Sequence, residues 1–166
     1  MMILFGYGGC VARERSHFLT LAPCGMELSG IAYGKTETWG GSFLGLPGDS
    51  ETGVIVYYLP ESTVTAVEAQ GVVYLEGLRC TRQLPRHRGH FTNWLPTPVA
   101  PDSRWADQVT TAGFLNRYGF GIPIRTDIEA MIDKAISTPG ALYAYSGSGF
   151  MLVVPRERRT VYMYAG

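Results

Sequence analysis

Charge, cysteine and long apolar runs are all scarce in this sequence, and each scarcity removes a class of protein. Charged residues make up 17% of the 166 positions, and 14 Lys plus Arg offset 14 Asp plus Glu. With no net charge there is no global electrostatic pull toward DNA, RNA or an anionic membrane. Neither nucleic acid nor a membrane surface is therefore expected as a partner. No apolar run approaches the roughly 20 residues of a membrane-spanning helix. The opening apolar stretch, five residues long, has no basic flank and is too short for a secretory signal. Cysteine occurs three times, at Cys10, Cys24 and Cys80, an odd number without Cys-x-x-Cys spacing. A disulfide framework is accordingly not expected, a reducing compartment is, and a soluble cytoplasmic location follows.

What the sequence does contain is glycine and tyrosine. At 46% hydrophobic and 12% aromatic, the chain has the make-up of a globular protein rather than a disordered one. Its length suits a single domain over residues 1–166 with a genuine core. Twenty-one glycines punctuate short segments, and ten tyrosines join β-branched residues in filling them. The pattern predicts a sheet-rich α+β protein with few helices.

Taken in order, residues 2–5 read as a short strand that runs into a glycine-rich turn at residues 6–9. A strand emptying into glycines presents backbone N–H groups at a sheet end, a common way to hold an anion or carbonyl. Residues 10–21 suit a short helix stopped by Pro23, and residues 26–33 alternate as a strand. Residues 53–59, Gly-Val-Ile-Val-Tyr-Tyr-Leu, form a continuous run typical of a strand buried on both faces. A helix follows, capped by Ser62 or Thr63, with Val64, Val67 and Glu68 on one face and Gly71 as its stop. Residues 72–78 read as extended, with Tyr74 and Glu76 on one face. Glu76 there needs a reason, since an unpaired buried carboxylate is costly.

Residues 79–90 are locally basic, with Arg79, Arg82, Arg86, His87, Arg88 and His90 and no acid among them. They read either as a solvated loop or as a clamp for a carboxylate or phosphate, which Arg forks match bidentately. Cys80, His87 and His90 do not reproduce a zinc-ligand spacing, so no metal is expected. After the proline-rich residues 96–101, Asp102 or Ser103 caps a helix over residues 104–117. A second helix opens on a Thr126/Glu129 capping box and carries Ile128, Met131, Ile132, Ala135 and Ile136 as its apolar stripe. Residues 141–145, 150–154 and 160–164 make a β meander, with residues 146–149 as a hairpin turn.

The order of the first half resembles the γ-glutamylcyclotransferase-like (AIG2-like) family. Leu4-Phe5-Gly6-Tyr7-Gly8-Gly9-Cys10 stands where members carry a strand ending in Tyr-Gly-Ser-Leu. Gly53-Val54-Ile55-Val56-Tyr57 matches a Gly-x-Val-Tyr segment, and Glu76-Gly77 with Arg82 matches a Glu-Gly pair followed by an Arg. The resemblance covers about residues 2–84 and departs at Gly9-Cys10 and at the missing Leu-Asp before Glu76. In another register Val67-Glu68 takes the Leu-Asp place, and the catalytic position falls near Gln70-Gly71. The resemblance implies a small mixed sheet or partly closed barrel flanked by a few helices, with a cyclotransferase-like core over residues 1–95. Residues 96–166, two helices and the meander, pack on that core.

It also implies an intramolecular reaction on a γ-glutamyl amine or peptide, whose own α-amine attacks the γ-carbonyl and releases 5-oxoproline. Such chemistry needs a base and oxyanion donors but no cofactor. Glu76 is the candidate base and Glu68 its reserve, while Tyr7, Gly8, Gly9, Cys10 and Arg82 are the candidate substrate-binding residues. Glu76 could equally be an ordinary strand residue. Cys10 could be a buried small side chain or a thiol nucleophile beside His17 or His90. The alternative function is a catalytically inactive relative that holds a small molecule or a protein partner, as an inhibitor, immunity or counter-defence protein.

Overall fold

The apolar run beginning at Gly53 forms the strand around which the molecule is laid out. In the computed structural model, which describes residues 18–19, 21–39, 50–79, 91–105, 107–119, 121–147 and 149–165, it lies in β2, Ser50–Tyr58. β1 is Gly30–Trp39, β3 Thr92–Pro96, β4 Leu142–Ser146, β5 Gly149–Val154 and β6 Arg159–Ala165. They form a six-stranded sheet in the order β1-β2-β6-β5-β4-β3, antiparallel at every pairing. The principal α-helices among the described residues are α1 Glu61–Gln70, α2 Val72–Gly77, α3 Thr111–Leu115 and α4 Thr126–Ser137, and a 3-10 turn spans Pro155–Glu157. None is long and apolar enough to cross a membrane.

The α+β class is as expected, but the mixed and partly closed sheet is not. The sheet is open, with β1 and β3 at its edges. The β3 edge is also poorly made for further pairing. Pro96 has no N–H to donate, and the Trp94 N–H is already taken by the Glu76 carboxylate at 2.8 Å.

Alternation along the strands sends side chains to two separate cores. One face carries Val54, Val56, Phe150, Leu152, Val161 and Met163, covered by Phe114 and Leu115 of α3 and Ile132, Ala135 and Ile136 of α4. The other carries Ala144, Met151 and Val153, covered by Val64 and Val67 of α1, Leu75 of α2 and Trp94. Ile55 and Tyr57 face a third cluster with Phe18, Leu21 and Ala22. Helices on both faces explain why β2 reads as an unbroken apolar run: Val54, Ile55, Val56 and Tyr57 are all fully buried. The expected meander is β4, β5 and β6, with the hairpin closed at the Ser146–Gly149 pair.

Several local expectations are corrected. Residues 72–77 are helical rather than extended. Gly71, at φ +55°, restarts the chain, and α2 buries Leu75 while leaving Val73 73% exposed. A strand would have put those two on the same face. Residues 104–117 form only the short α3, because Thr110 takes over as cap, its side chain accepting from Gly113 N. The strand expected over residues 26–33 is β1, Gly30–Trp39, the one expected over residues 2–5 lies outside the described residues, and β3 had no counterpart in the reading of the sequence. Pro60, not Ser62 or Thr63, occupies the cap position of α1, and those two hydroxyls donate instead to the Glu27 carboxylate and carbonyl. α4 begins without a side-chain cap, so the Thr126/Glu129 box does not form.

Cys24 is disulfide-bonded, a single covalent link where the reading of the sequence expected no disulfide framework. Pairing depends on spatial approach, which an odd count and irregular spacing do not report. The bond lies at a tight turn. Gly25 has φ +82°, and a Cβ there would come within 2.6 Å of the Arg79 carbonyl oxygen.

Candidate functional site

The sequence candidates separate into those the structure describes and those it does not. Tyr7, Gly8, Gly9, Cys10 and Arg82 lie outside the described residues, as do His17, Cys80, His87 and His90. Glu76 and Glu68 are described. Both are exposed, on α2 and α1 respectively. Glu76 is thus not the buried carboxylate of an extended segment. Its Oε1 accepts the Trp94 backbone N–H, fastening α2 to the edge of the sheet.

A cleft of about 350 Å³ opens on the other face of β3, between that strand, β4 and the loop after the proline-rich segment. Thr92, Asn93 and Leu95 form one lip, Ala100, Pro101, Asp102 and Arg104 the other, with Tyr143 and Tyr145 between them. The strand alternation that buries Trp94 turns Asn93 and Leu95 toward the cleft. Asn93 sits at φ +58°, where the β3–β4 register slips between Thr92 and Leu95.

The polar groups in the cleft are held firmly. Asp102 accepts from the Arg104 backbone N at 2.8 Å, from Nε at 2.9 Å and from Nη2. The Arg104 guanidinium lies 3.5 Å above the centre of the Tyr145 ring, a cation–π contact. Beneath it, the Tyr145 hydroxyl accepts from the buried Trp105 Nε1 at 2.9 Å. Tyr143 and Tyr145 meet edge to face, and Phe150 packs against both rings.

Electrostatics moves the titrations of the shifted groups of the cleft further from pH 7. The hydrogen bond to Arg104 holds the Asp102 carboxyl below its usual range and keeps the guanidinium charged. Burial pushes the Tyr145 phenol up to about 12. These residues are arranged to bind and orient rather than to trade protons near pH 7. Among the described residues, no group of three or more His, Cys, Asp or Glu could hold a metal ion.

Reading the sequence missed this cleft because Asp102 looked like a helix cap. Its carboxylate does accept a backbone N–H two residues on, but the chain turns there instead of continuing as a helix. No family model, curated protein or solved structure matches the chain.

Proposed function

We propose that the protein is a non-catalytic binding protein that takes a small polar molecule in the cleft between β3, β4 and residues 100–104. A γ-glutamyl amine or peptide is the class that the family resemblance implies. The observation that carries this reading is the locked Asp102–Arg104–Tyr145 group, set in a cavity of a size typical for small-molecule sites. Glu76, the expected base, supports it from the other direction, because its carboxylate is engaged by the sheet edge and lines no part of the cleft.

The test has two arms. A panel of γ-glutamyl amines and peptides is titrated against the protein by calorimetry, and the same mixtures are assayed for 5-oxoproline. Binding without product, lost in an Asp102→Ala/Arg104→Ala double variant, is the expected result. Release of 5-oxoproline by wild type but not by Glu76→Gln would replace this reading with the cyclotransferase one.

A further inference from the structure

We propose that the cleft recognises a neutral carbonyl acceptor, an amide, through two donors: the Tyr145 hydroxyl and Nη1 of Arg104. This rests on the cleft being a ligand site and asks what its chemistry selects.

The hydrogen-bond inventory supplies the argument. Asp102 already accepts three bonds from Arg104, through N, Nε and Nη2, so little of a carboxylate's roughly four acceptor sites is left for a ligand's donors. Donors are in surplus. The Tyr145 oxygen is used as an acceptor by Trp105 Nε1, which leaves its own proton to be given away. Nη1 of Arg104 makes no hydrogen bond among the described residues. Thr92 and Asn93 add a hydroxyl and a side-chain amide on the facing lip, where their mutual bond is a long 3.5 Å.

Charge then chooses among acceptors. Asp102 and Arg104 neutralise one another, which leaves an anion beside the Asp102 charge with only the more distant Arg117 guanidinium, turned to the Ala165 carbonyl and lining no part of the cleft, to attract it. A neutral carbonyl takes up the donors without that repulsion. The apolar side chains of Leu95, Ala100 and Pro101 give the rest of the ligand a non-polar wall. The ring of Tyr145 is held by the Trp105 bond to its hydroxyl and by Arg104 on its face, which lowers the ordering cost of binding. Its raised pKa also keeps the donated proton in place throughout the ordinary pH range.

The experiment titrates isotope-labelled protein with hexanamide, hexanoate and hexylamine and follows the resonances of the cleft by NMR. Hexanamide is expected to bind there at least tenfold more tightly than the other two. Tyr145→Phe should weaken it about tenfold, the loss of one good hydrogen bond. Because Tyr145→Phe also strips Trp105 Nε1 of its acceptor, Arg104→Met serves as the second variant and should show a similar loss. Tighter binding of hexanoate or hexylamine overturns the neutral-acceptor assignment but leaves the cleft a binding site. Equal amide binding by wild type and both variants overturns the role of the two donors. A cleft that stays silent to these probes and to the γ-glutamyl panel overturns this inference and the binding reading together.

Discussion

Glu76 shows how one residue can be flagged correctly and explained differently. Its carboxylate stood out because a charge in an apolar run asks for a partner, and the partner is the Trp94 N–H at 2.8 Å. A bond of this kind is worth about 1 kcal/mol net. Glu76→Gln retains an acceptor oxygen and should change stability by less than about 0.5 kcal/mol, whereas Glu76→Ala should cost about 1 kcal/mol in urea unfolding. Equal losses in both variants would mean that the negative charge, not the bond, matters. Tyr145 offers a pH test. Its folded-state pKa of about 12 lies above the ordinary tyrosine value of 10.0. Above pH 10 the unfolded chain therefore binds fewer protons, so the stability that the neutral phenol contributes is present below pH 10 and lost as pH rises toward 12. Tyr145→Phe should make the alkaline arm of the stability curve shallower, the buried phenols of Tyr57 and Tyr164, which are also shifted upward, supplying the rest. An unchanged slope between pH 10 and 12 would remove Tyr145 as one of its sources. Neither the cleft nor this tyrosine was legible in the sequence, because both depend on residues from three separate segments meeting.

At the scale of elements, legibility followed burial. β2, β5, β6 and α4 were readable because each is committed to a core by several neighbouring apolar residues. α2 was not, since a six-residue helix held by Leu75 has too few turns to show its period. β3 escaped because its alternation is mostly exposed and it begins beside polar Thr92 and Asn93. Two glycines inside strands mark close packing that the sequence did not suggest, where Gly53 reads simply as the start of a strand and Gly149 as part of a turn. A Cβ at Gly53 would come 2.6 Å from the Tyr164 ring, and one at Gly149 would come 2.5 Å from the Tyr162 ring. Those rings stack on each other with centres 5.3 Å apart, and the Tyr164 hydroxyl is tied to Glu51 at 2.7 Å. The Tyr164 ring therefore has little freedom to retreat. Gly53→Ala should destabilise by roughly 1–3 kcal/mol, although alanine suits an extended chain better than glycine does. Adding Tyr164→Leu should recover part of the loss. A neutral or stabilising Gly53→Ala in thermal unfolding would show that the ring yields easily.

For the molecule as a whole, the open antiparallel sheet with helices on both faces accounts for stability through two cores separated by one layer of strands. The disulfide adds a covalent constraint to that plan. The compartment argument from the sequence rested on cysteine count and spacing, and a bonded Cys24 removes its premise. Three cysteines, less the two in an intrachain cystine, leave one thiol. Thiol titration of the unfolded, unreduced protein should therefore find one reactive group per chain, and three after reduction. A disulfide in a small protein typically contributes about 2–4 kcal/mol, mainly by restricting the unfolded chain. Reduction should then lower the melting temperature by roughly 5–15 °C, and Cys24→Ser should reproduce that shift and be insensitive to reductant. Three thiols before reduction, with a melting temperature indifferent to reductant, would show that the bond does not form in solution. The two cores would then carry the stability alone, and the argument for a reducing compartment would regain its premise.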